Sequence, residues 1–193
     1  MIEARPLSLP GVIEIIPKRF GDERGFFAET FNRYQLAEAG INLDWMQDNQ
    51  SFSTSVHTLR GLHYQELPFA QAKLVRVLRG RILDVAVDIR KHSPTYRKWV
   101  AIELSAEAFN QLLVPIGFAH GFLTLEPCTE VFYKVTAPWS REHDRSIRWD
   151  DPEIGVDWRL GRTVPIVSDK DREAPFLADV PPAFIFDANG KYK

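Results

Sequence analysis

The sequence predicts a mainly β fold: a sandwich, a jelly roll or a small barrel. Short runs rich in β-branched and aromatic residues recur along the chain, and Pro or Gly interrupts most of the segments between them. Only one segment has the pattern of a helix. Regularly spaced short strands are typical of these all-β architectures, and the C-terminal fifth of the chain is then an irregular cover.

The N-terminal part contains two predicted strands and the helix. Residues 12–16 form the first strand, which Pro17 ends, and residues 26–30 form the second after a turn-like segment. Residues 34–39 are the predicted helix, because Gly40 stands where helices commonly end.

The rest of the predicted sheet structure lies between residues 45 and 135. Its strands are 45–51, 58–64, 73–78, 82–89, 99–104, 111–114, 119–125 and 130–135. We expect strands 73–78 and 82–89 to pair as a hairpin that turns at Gly80.

Length and charge indicate one globular domain of 193 residues with a formal charge of -2. We expect an N-terminal strand region at about 1–40, a barrel at about 41–150 and a C-terminal cover at about 151–193. The near-neutral charge offers no basic surface for nucleic acid or membranes, and no apolar run could span a bilayer. Residues 1–6 lack an apolar signal core and Cys128 is the one cysteine, so we expect a cytoplasmic protein.

Two segments carry one histidine each in a β-rich context. Residues 60–65 read Arg-Gly-Leu-His-Tyr-Gln, and residues 115–122 read Pro-Ile-Gly-Phe-Ala-His-Gly-Phe, which has the Pro-x-Gly-x-x-His spacing of cupin-type barrels. Metal-binding cupins have His-x-His in the first motif, whereas Gln65 stands at the second ligand position here. We therefore expect no metal and interpret His63 as a base.

Strand alternation places other polar side chains near His63. Lys73 and Tyr133 each lie on the same strand face as two valines. If the valine faces point inward, Lys73, Tyr133 and His63 line one barrel interior that can hold a small ligand. Arg60 has the opposite parity to His63, so it reaches this interior only if Gly61 bends or bulges the strand.

The sequence resembles the dTDP-4-dehydrorhamnose 3,5-epimerase family of metal-independent, cupin-type enzymes. The matching segments follow the family order across about residues 10–175, and together they are highly specific. They are 20–29, 47–51, 59–65, 73–76, 84–90, 115–122, 133–134 and 168–171. The resemblance implies a cupin-type jelly-roll β-barrel with a few short helices, no cofactor and a homodimer.

The resemblance also implies a reaction: inversion at C3 and C5 of a dTDP-4-keto-6-deoxyhexose, in dTDP-L-rhamnose-type deoxysugar biosynthesis. The C4 ketone acidifies the protons on C3 and C5, so the enzyme needs a base, a group that stabilises the enolate and an acid. His63 is the implied base, and Asp171 is the carboxylate that orients it. Lys73 is implied beside the C4 oxygen, and Tyr133 is the implied acid on the opposite face.

The implied substrate-binding residues include cations that suit a diphosphate. They are Arg24, Glu29, Gln47, Asn49, Arg60, His120, Trp139, Asp144 and Lys170. Trp139 stands where the family commonly has tyrosine, which still permits stacking, and Asp144 stands where glutamate is usual, which shortens its reach. Arg24 and Glu29 act either in their own subunit or across a dimer.

Other interpretations remain open from the sequence alone. Ser168 and Asp171 have the spacing of a helix-capping box, and Lys73 fits a surface position at a strand start. The alternative functions are a mono-epimerase acting at C3 or C5 only and a ketoisomerase on a related nucleotide sugar. A metal cupin or a sugar-binding module is a further alternative, which fold alone does not decide.

Overall fold

The computed structural model describes residues 2–187 of the chain, and short strands are its main regular structure. The strands are β1 (Ile2–Pro6), β2 (Ile13–Pro17), β3 (Arg19–Asp22), β4 (Gly25–Ala28), β5 (Gln47–Ser53), β6 (Leu59–Gln65), β7 (Lys73–Arg79), β8 (Arg81–Asp88), β9 (Arg90–Lys91), β10 (Trp99–Ser105), β11 (Gln111–Val114), β12 (Phe118–Thr124), β13 (Thr129–Val135), β14 (Asp144–Ser146) and β15 (Phe184–Ile185). The α-helices are α1 (Arg33–Glu38) and α2 (Asp169–Arg172), and Leu177–Asp179 is a 3-10 helix. Among these residues, no helix has the length and apolar composition needed to cross a membrane.

Two antiparallel sheets form the barrel. The six-stranded sheet has the order β1-β2-β11-β7-β13-β5, and the five-stranded sheet has the order β10-β8-β12-β6-β14. β3 and β4 form a separate hairpin, and β9 pairs in parallel with β15 from the end of the chain. The expected mainly β architecture is therefore confirmed.

Three apolar clusters separate the layers of the fold. The first lies between the sheets and contains Val75, Ala86 and Phe122. A second joins the outer face of the five-stranded sheet to the C-terminal cover, through residues such as Trp158. The third packs Leu36 of α1 against the outer face of the six-stranded sheet. Each sheet thus has apolar side chains on both faces, which explains why its central strands show little alternation.

The prediction that strands 73–78 and 82–89 pair as a hairpin is wrong; these strands are β7 and β8. β7 belongs to the six-stranded sheet and β8 to the five-stranded one, so the chain crosses from one sheet to the other at Gly80. Gly80 has φ +80°, and a Cβ there would collide with Oγ1 of Thr129. A glycine corner of this kind also satisfies the local turn pattern, so the sequence alone did not distinguish it from a hairpin.

Short edge elements account for the other differences. The predicted strand 26–30 is β4, Gly25–Ala28, and the turn-like segment before it overlaps the end of an unpredicted strand, β3, Arg19–Asp22. β1, β9, β14 and β15 were not predicted, since they are only two to five residues long. Such segments are too short to show a period.

A bulge in β6 decides which side chains face the barrel interior. His63 pairs with His120 and Arg60 with Phe122, so three steps along β6 oppose two along β12. The extra residue is Gly61, whose φ is +129°. Arg60 and His63 consequently lie on the same face, which confirms the condition stated for Arg60.

Candidate active site

A cavity of about 460 Å³ opens between the two sheets under the C-terminal cover. Its walls combine apolar side chains with two histidines, two lysines and an arginine. The lining residues are Ser51, Thr58, Leu59, Arg60, His63, Lys73, His120, Phe122, Tyr133, Ile166, Val167, Ser168, Lys170 and Asp171. Its size falls in the range of small-molecule sites.

His63 and Asp171 form a hydrogen-bonded pair in this cavity. The Nε2 atom of His63 lies 2.6 Å from Oδ1 of Asp171, whose side chain is 4% exposed. Burial raises the pKa of Asp171, but the hydrogen bond and charge of His63, with donors from Gly61 and Ser168, lower it below its ordinary value overall. The pair can hold a proton on Nε2 and leave the other ring nitrogen as a base.

The structure shows the Ser168 half of the expected capping box. Ser168 caps α2, and its Oγ accepts a hydrogen bond of 3.1 Å from the backbone N–H of Asp171. The backbone N–H of Asp171 serves the cap while its carboxylate binds His63, so the two interpretations do not exclude one another. The cap fixes the helix that presents the carboxylate.

Lys73 is buried in the interior rather than on the surface. It is 8% exposed, and its Nζ donates a 3.4 Å hydrogen bond to the carbonyl of His63. Burial lowers the pKa of Lys73 to about 8, while the charges of Asp84 and Asp144 raise it and Lys170 lowers it further. A cation with this pKa is still protonated at neutral pH and sits in a low-dielectric site.

Tyr133 reaches the cavity from the opposite wall. It lies on β13 in the six-stranded sheet, whereas His63 lies on β6 in the five-stranded sheet. Burial raises the pKa of the Tyr133 hydroxyl, although Arg60 lowers it somewhat. A protonated phenol and an imidazole therefore face the cavity from opposite sheets.

His120 forms a second histidine–carboxylate pair. Its Nε2 lies 2.7 Å from Oδ1 of Asp84, which is fully buried. Burial lowers the pKa of His120, and the neighbouring Lys73 and His63 lower it further, against the opposing effect of Asp84. A neutral imidazole at this position can accept or donate a hydrogen bond to a ligand.

A second, shallower cavity of about 180 Å³ adjoins the first. The two cavities share His63, Lys73, Tyr133 and Lys170. The second also contains four of the expected binding residues, Gln47, Asn49, Trp139 and Asp144. The proposed catalytic side chains shared by the two cavities thus lie where the main cavity, the reaction chamber, meets the shallower one, the groove.

Hydrogen bonds preorganise this groove. Gln47 donates to Oδ1 of Asn49 over 2.7 Å and accepts from the backbone N–H of Trp139 over 3.0 Å. Trp139 is 57% exposed, so its ring is available for stacking. Lys170 and Asp144 form an ion pair with a separation of 2.5 Å. The shorter carboxylate at position 144 therefore still reaches the groove.

The family model described as dTDP-4-dehydrorhamnose 3,5-epimerase matches residues 6–179 of the chain. The chain belongs to this family. A relative of that name from Sinorhizobium fredii is 51% identical over 178 residues, which are 92% of this chain and 91% of the relative. The predicted family and the isomerase class are thereby confirmed.

Solved structures of epimerases have the same fold. The Legionella pneumophila dTDP-6-deoxy-D-glucose-3,5-epimerase, in complex with dTDP-4-keto-L-rhamnose, is 42% identical with a TM-score of 0.89 over 94% of this chain and 95% of its own. A 3'-monoepimerase from Streptomyces bikiniensis, in complex with dTDP-quinovose, is 32% identical with a TM-score of 0.84 over 90% and 87%. The cupin-type fold expected from the sequence is confirmed.

Two of the binding residues that the family resemblance implies lie outside both cavities. Arg24, in the β3–β4 hairpin, has an 85% exposed side chain and forms an ion pair with Asp22. Glu29 follows β4 and accepts a 2.6 Å hydrogen bond from Nε2 of Gln35. In this epimerase-family chain, neither side chain joins the other site residues within the same subunit.

Several cavity residues were not singled out from the sequence. Ser51 and Thr58 line the main cavity and Gln71 lines the groove. Ser51 could have been found, because it follows Gln47 and Asn49 at a spacing of two along the strand. Thr58 belongs to the predicted strand 58–64 but has the opposite parity to His63, and Gln71 lies outside the predicted strands.

The residue types around His63 and His120 do not assemble a metal site. Within residues 2–187, no group of three or more His, Cys, Asp or Glu side chains is arranged to hold a metal ion. Each of the two histidines instead has one carboxylate partner. Gln65 uses its side-chain amide to bind the carbonyls of Phe69 and Pro138.

Proposed function

We propose that the protein inverts C3 and C5 of a dTDP-4-keto-6-deoxyhexose through an enolate, in dTDP-L-rhamnose-type deoxysugar biosynthesis. The observation that carries this proposal is the hydrogen bond between His63 and the buried Asp171, in a cavity that Lys73 and Tyr133 enter from the opposite sheet. The protein's family membership independently supports the same substrate and reaction.

The reaction begins when the free ring nitrogen of His63 removes the proton from a carbon next to the C4 ketone. Asp171 stabilises the imidazolium that forms, because its carboxylate accepts the hydrogen bond from the Nε2 proton. The electron pair of the broken C–H bond moves into the enolate, and its oxygen lies against the Lys73 ammonium. Tyr133 then donates a proton from the other face, which inverts the carbon. Solvent restores both groups before the second carbon reacts.

The groove beside the reaction chamber is the proposed nucleotide site. Trp139 offers an exposed ring for the thymine, and Gln47 and Asn49 supply amide groups for its polar edge. Arg60 and Lys170 provide positive charge for the diphosphate at the junction of the two cavities. Asp144 keeps Lys170 oriented, and His120 contacts the sugar.

We further propose a cytoplasmic homodimer in which Arg24 and Glu29 complete the partner's site. The β3–β4 hairpin exposes Phe20 and Phe27, which pair with each other across the hairpin and need a partner surface. Sedimentation at micromolar concentration is expected to give a dimer.

Mixed dimers test the exchange of residues between subunits. Arg24→Ala and His63→Asn homodimers are each expected to be inactive or nearly so. A mixed dimer of the two variants regains one complete site if Arg24 acts across the interface. Lack of any regained activity in purified mixed dimers assigns Arg24 to its own subunit, and a fully active monomer refutes the dimer.

A mono-epimerase is the second candidate function. The shared fold and 32% identity with the Streptomyces bikiniensis 3'-monoepimerase favour keeping it. Its chemistry uses the same base, so His63 and Tyr133 alone do not separate the two. A ketoisomerase, a metal cupin or a sugar-binding module has no specific observation in its favour.

Deuterium uptake distinguishes these functions. The protein is incubated with dTDP-4-keto-6-deoxyglucose in deuterated water, and label at each sugar carbon is measured by NMR. Label at both C3 and C5 is the expected result, whereas label at one carbon selects the mono-epimerase. Folded protein that binds dTDP tightly without exchanging either proton would refute the proposed reaction.

A further inference from the structure

The pair formed by Asp84 and His120 has an unusual feature. Asp84 lies on β8, faces the barrel interior with Ile82 and Ala86, and is fully buried. Its Oδ1 bonds His120, but its Oδ2 is buried without a hydrogen-bond partner among the described residues. An unpaired buried carboxylate oxygen is costly, so its retention calls for an explanation other than packing.

Asp88, on the same face of the same strand, provides the contrast. It is equally buried, yet its two oxygens bind Arg90 and accept from the hydroxyls of Ser93 and Thr95. A carboxylate with a purely structural role is expected to be satisfied in this way. Asp84 has a single hydrogen bond and instead acts electrostatically on Lys73 and His120.

We propose that Asp84 is a positioning residue for the epimerisation, fixing the tautomer of His120 and keeping Lys73 protonated beside the C4 oxygen. The role of Asp84 in epimerisation rests on the proposed function. The geometric part, a fully buried carboxylate that is hydrogen-bonded to one cavity side chain and keeps one oxygen unpaired, stands independently of the substrate.

The tautomer follows from hydrogen-bond chemistry. A carboxylate only accepts hydrogen bonds, so the 2.7 Å contact requires the proton of neutral His120 on Nε2. Nδ1 then carries a lone pair, and it has no hydrogen-bond partner among residues 2–187. His120 lines the cavity, so this nitrogen is the acceptor for a sugar hydroxyl.

The effect on Lys73 is electrostatic. Burial lowers its pKa to about 8, and Asp84 is the largest of the charges that raise it, ahead of Asp144, while Lys170 acts in the opposite direction. The charged groups that act on His120 are Asp84 from β8, Lys73 from β7 and His63 from β6. Without the Asp84 charge, the main cavity would hold two lysines, an arginine and two histidines against Asp171, with Asp144 in the adjoining groove.

The variant Asp84→Asn removes the charge while keeping the size and an acceptor oxygen. If Lys73 must be protonated to stabilise the enolate, activity falls as pH rises through its pKa. Loss of Asp84 lowers that pKa, so the alkaline limb of kcat/KM is expected to move to lower pH by about one unit or more. The affinity for dTDP, measured by calorimetry, is expected to remain unchanged, since Asp84 does not line the nucleotide groove.

Asp88→Asn is the matched control on the same strand. It is expected to lower the thermal midpoint, because Arg90 loses its buried partner, and to leave the alkaline limb in place. Asp84→Glu restores the charge and is expected to return the limb toward the wild-type position. An Asp84→Asn enzyme with the wild-type limb would overturn the electrostatic role.

Two measurements are independent of turnover, and the first needs no substitution. In the wild-type protein, ¹⁵N NMR is expected to find the proton of neutral His120 on Nε2; a proton on Nδ1 overturns the tautomer assignment. NMR titration of isotope-labelled lysine, with Lys73→Arg for assignment, is expected to give a lower pKa for Lys73 in Asp84→Asn than in the wild type; equal pKa values would overturn the electrostatic role. If the wild type binds dTDP but exchanges no sugar proton, the proposed function fails while these measurements still decide the role of Asp84.

Discussion

The Nε2 atom of His63 lies 2.6 Å from a carboxylate oxygen of Asp171, although the two residues are 108 positions apart in the chain. His63 belongs to a barrel strand, and Asp171 belongs to a four-residue helix in the C-terminal cover. The orientation of the proposed base therefore depends on how the cover docks on the barrel. The base and its partner come from different layers of the protein.

Replacement of His63 by Asn is expected to abolish proton exchange at both carbons. General-base catalysis contributes a factor of about 10²–10⁴, so turnover falls by that much while dTDP affinity changes little. Deuterium uptake and calorimetry measure the two quantities. The control is His92→Asn, a substitution at an exposed loop histidine with φ +71° that Asn tolerates. Near-normal turnover in the His63 variant would exclude it as the base.

Tyr133→Phe is expected to separate exchange from inversion. His63 still removes the proton and Lys73 still stabilises the enolate, so label continues to enter at the original face. Inversion falls much further, because the phenol that donates from the opposite sheet is gone. The ratio of deuterium uptake to product formation reports the difference. Equal losses in both would make Tyr133 a residue that only positions the substrate.

The pH dependence is expected to follow Lys73. Its pKa is lowered to about 8 by burial, and the protonated form is the one that stabilises the enolate. The active fraction thus declines as pH rises through about 8, which gives kcat/KM an alkaline limb there. Lys73→Arg is expected to move the limb beyond the measurable range, since arginine stays charged. A limb at the same pH in both proteins would assign it to another group.

Gly61→Ala is expected to destabilise the barrel. A Cβ at this position would lie 2.5 Å from Cα of Gly121 and 2.9 Å from the carbonyl oxygen of His120, both backbone atoms of a central strand. Gly25 has a matching φ of +127°, but a Cβ added there would meet no atom within 4 Å, so Gly25→Ala isolates the conformational cost. We expect about 1–3 kcal/mol for Gly25 and roughly 1–3 kcal/mol more for Gly61, from urea unfolding. Equal costs would refute the steric argument.

The enzyme is expected to need no metal. Each cavity histidine is already bound to one carboxylate, and Gln65 offers an amide where metal cupins have a ligand. Activity after exhaustive chelation, with elemental analysis of the same sample, should equal that of the untreated protein. A stoichiometric metal whose removal stops turnover would turn His63 and His120 into ligands.

The sequence predicted the interior side chains better than the connections. Alternation along single strands correctly put Lys73 and Tyr133 inside, because each strand keeps its period over the residues concerned. The inward orientation of Arg60 could not be predicted in this way, because it depends on a bulge in β6. Gly61 permits such a bulge but does not require it. The assignment of β8 to the five-stranded sheet also could not be predicted, because it is set by pairing with strands that are distant in the sequence.

Residues whose roles arise from tertiary contacts were the ones missed. Asp84 sits in an apolar strand, and a charge there is a signal of a buried pair, but its partner His120 is not identifiable from spacing. Arg24 and Glu29 matched the family pattern and yet lie away from the cavities of their own chain. Their proposed place in the site of a partner subunit depends on an interface that the pattern of one chain does not contain.

The position of Asp171 in the cover also has a consequence for biosynthesis of the protein. Translation produces every strand of the two barrel sheets before it produces α2, and folding commonly begins on the N-terminal part of a nascent chain. A barrel that closes on the ribosome has His63 in place without its carboxylate, and the apolar outer face of its five-stranded sheet is still uncovered. The proposed base therefore gains its carboxylate partner only after every strand of the two barrel sheets has been made, and a chain cut short before residue 169 would lack that partner altogether.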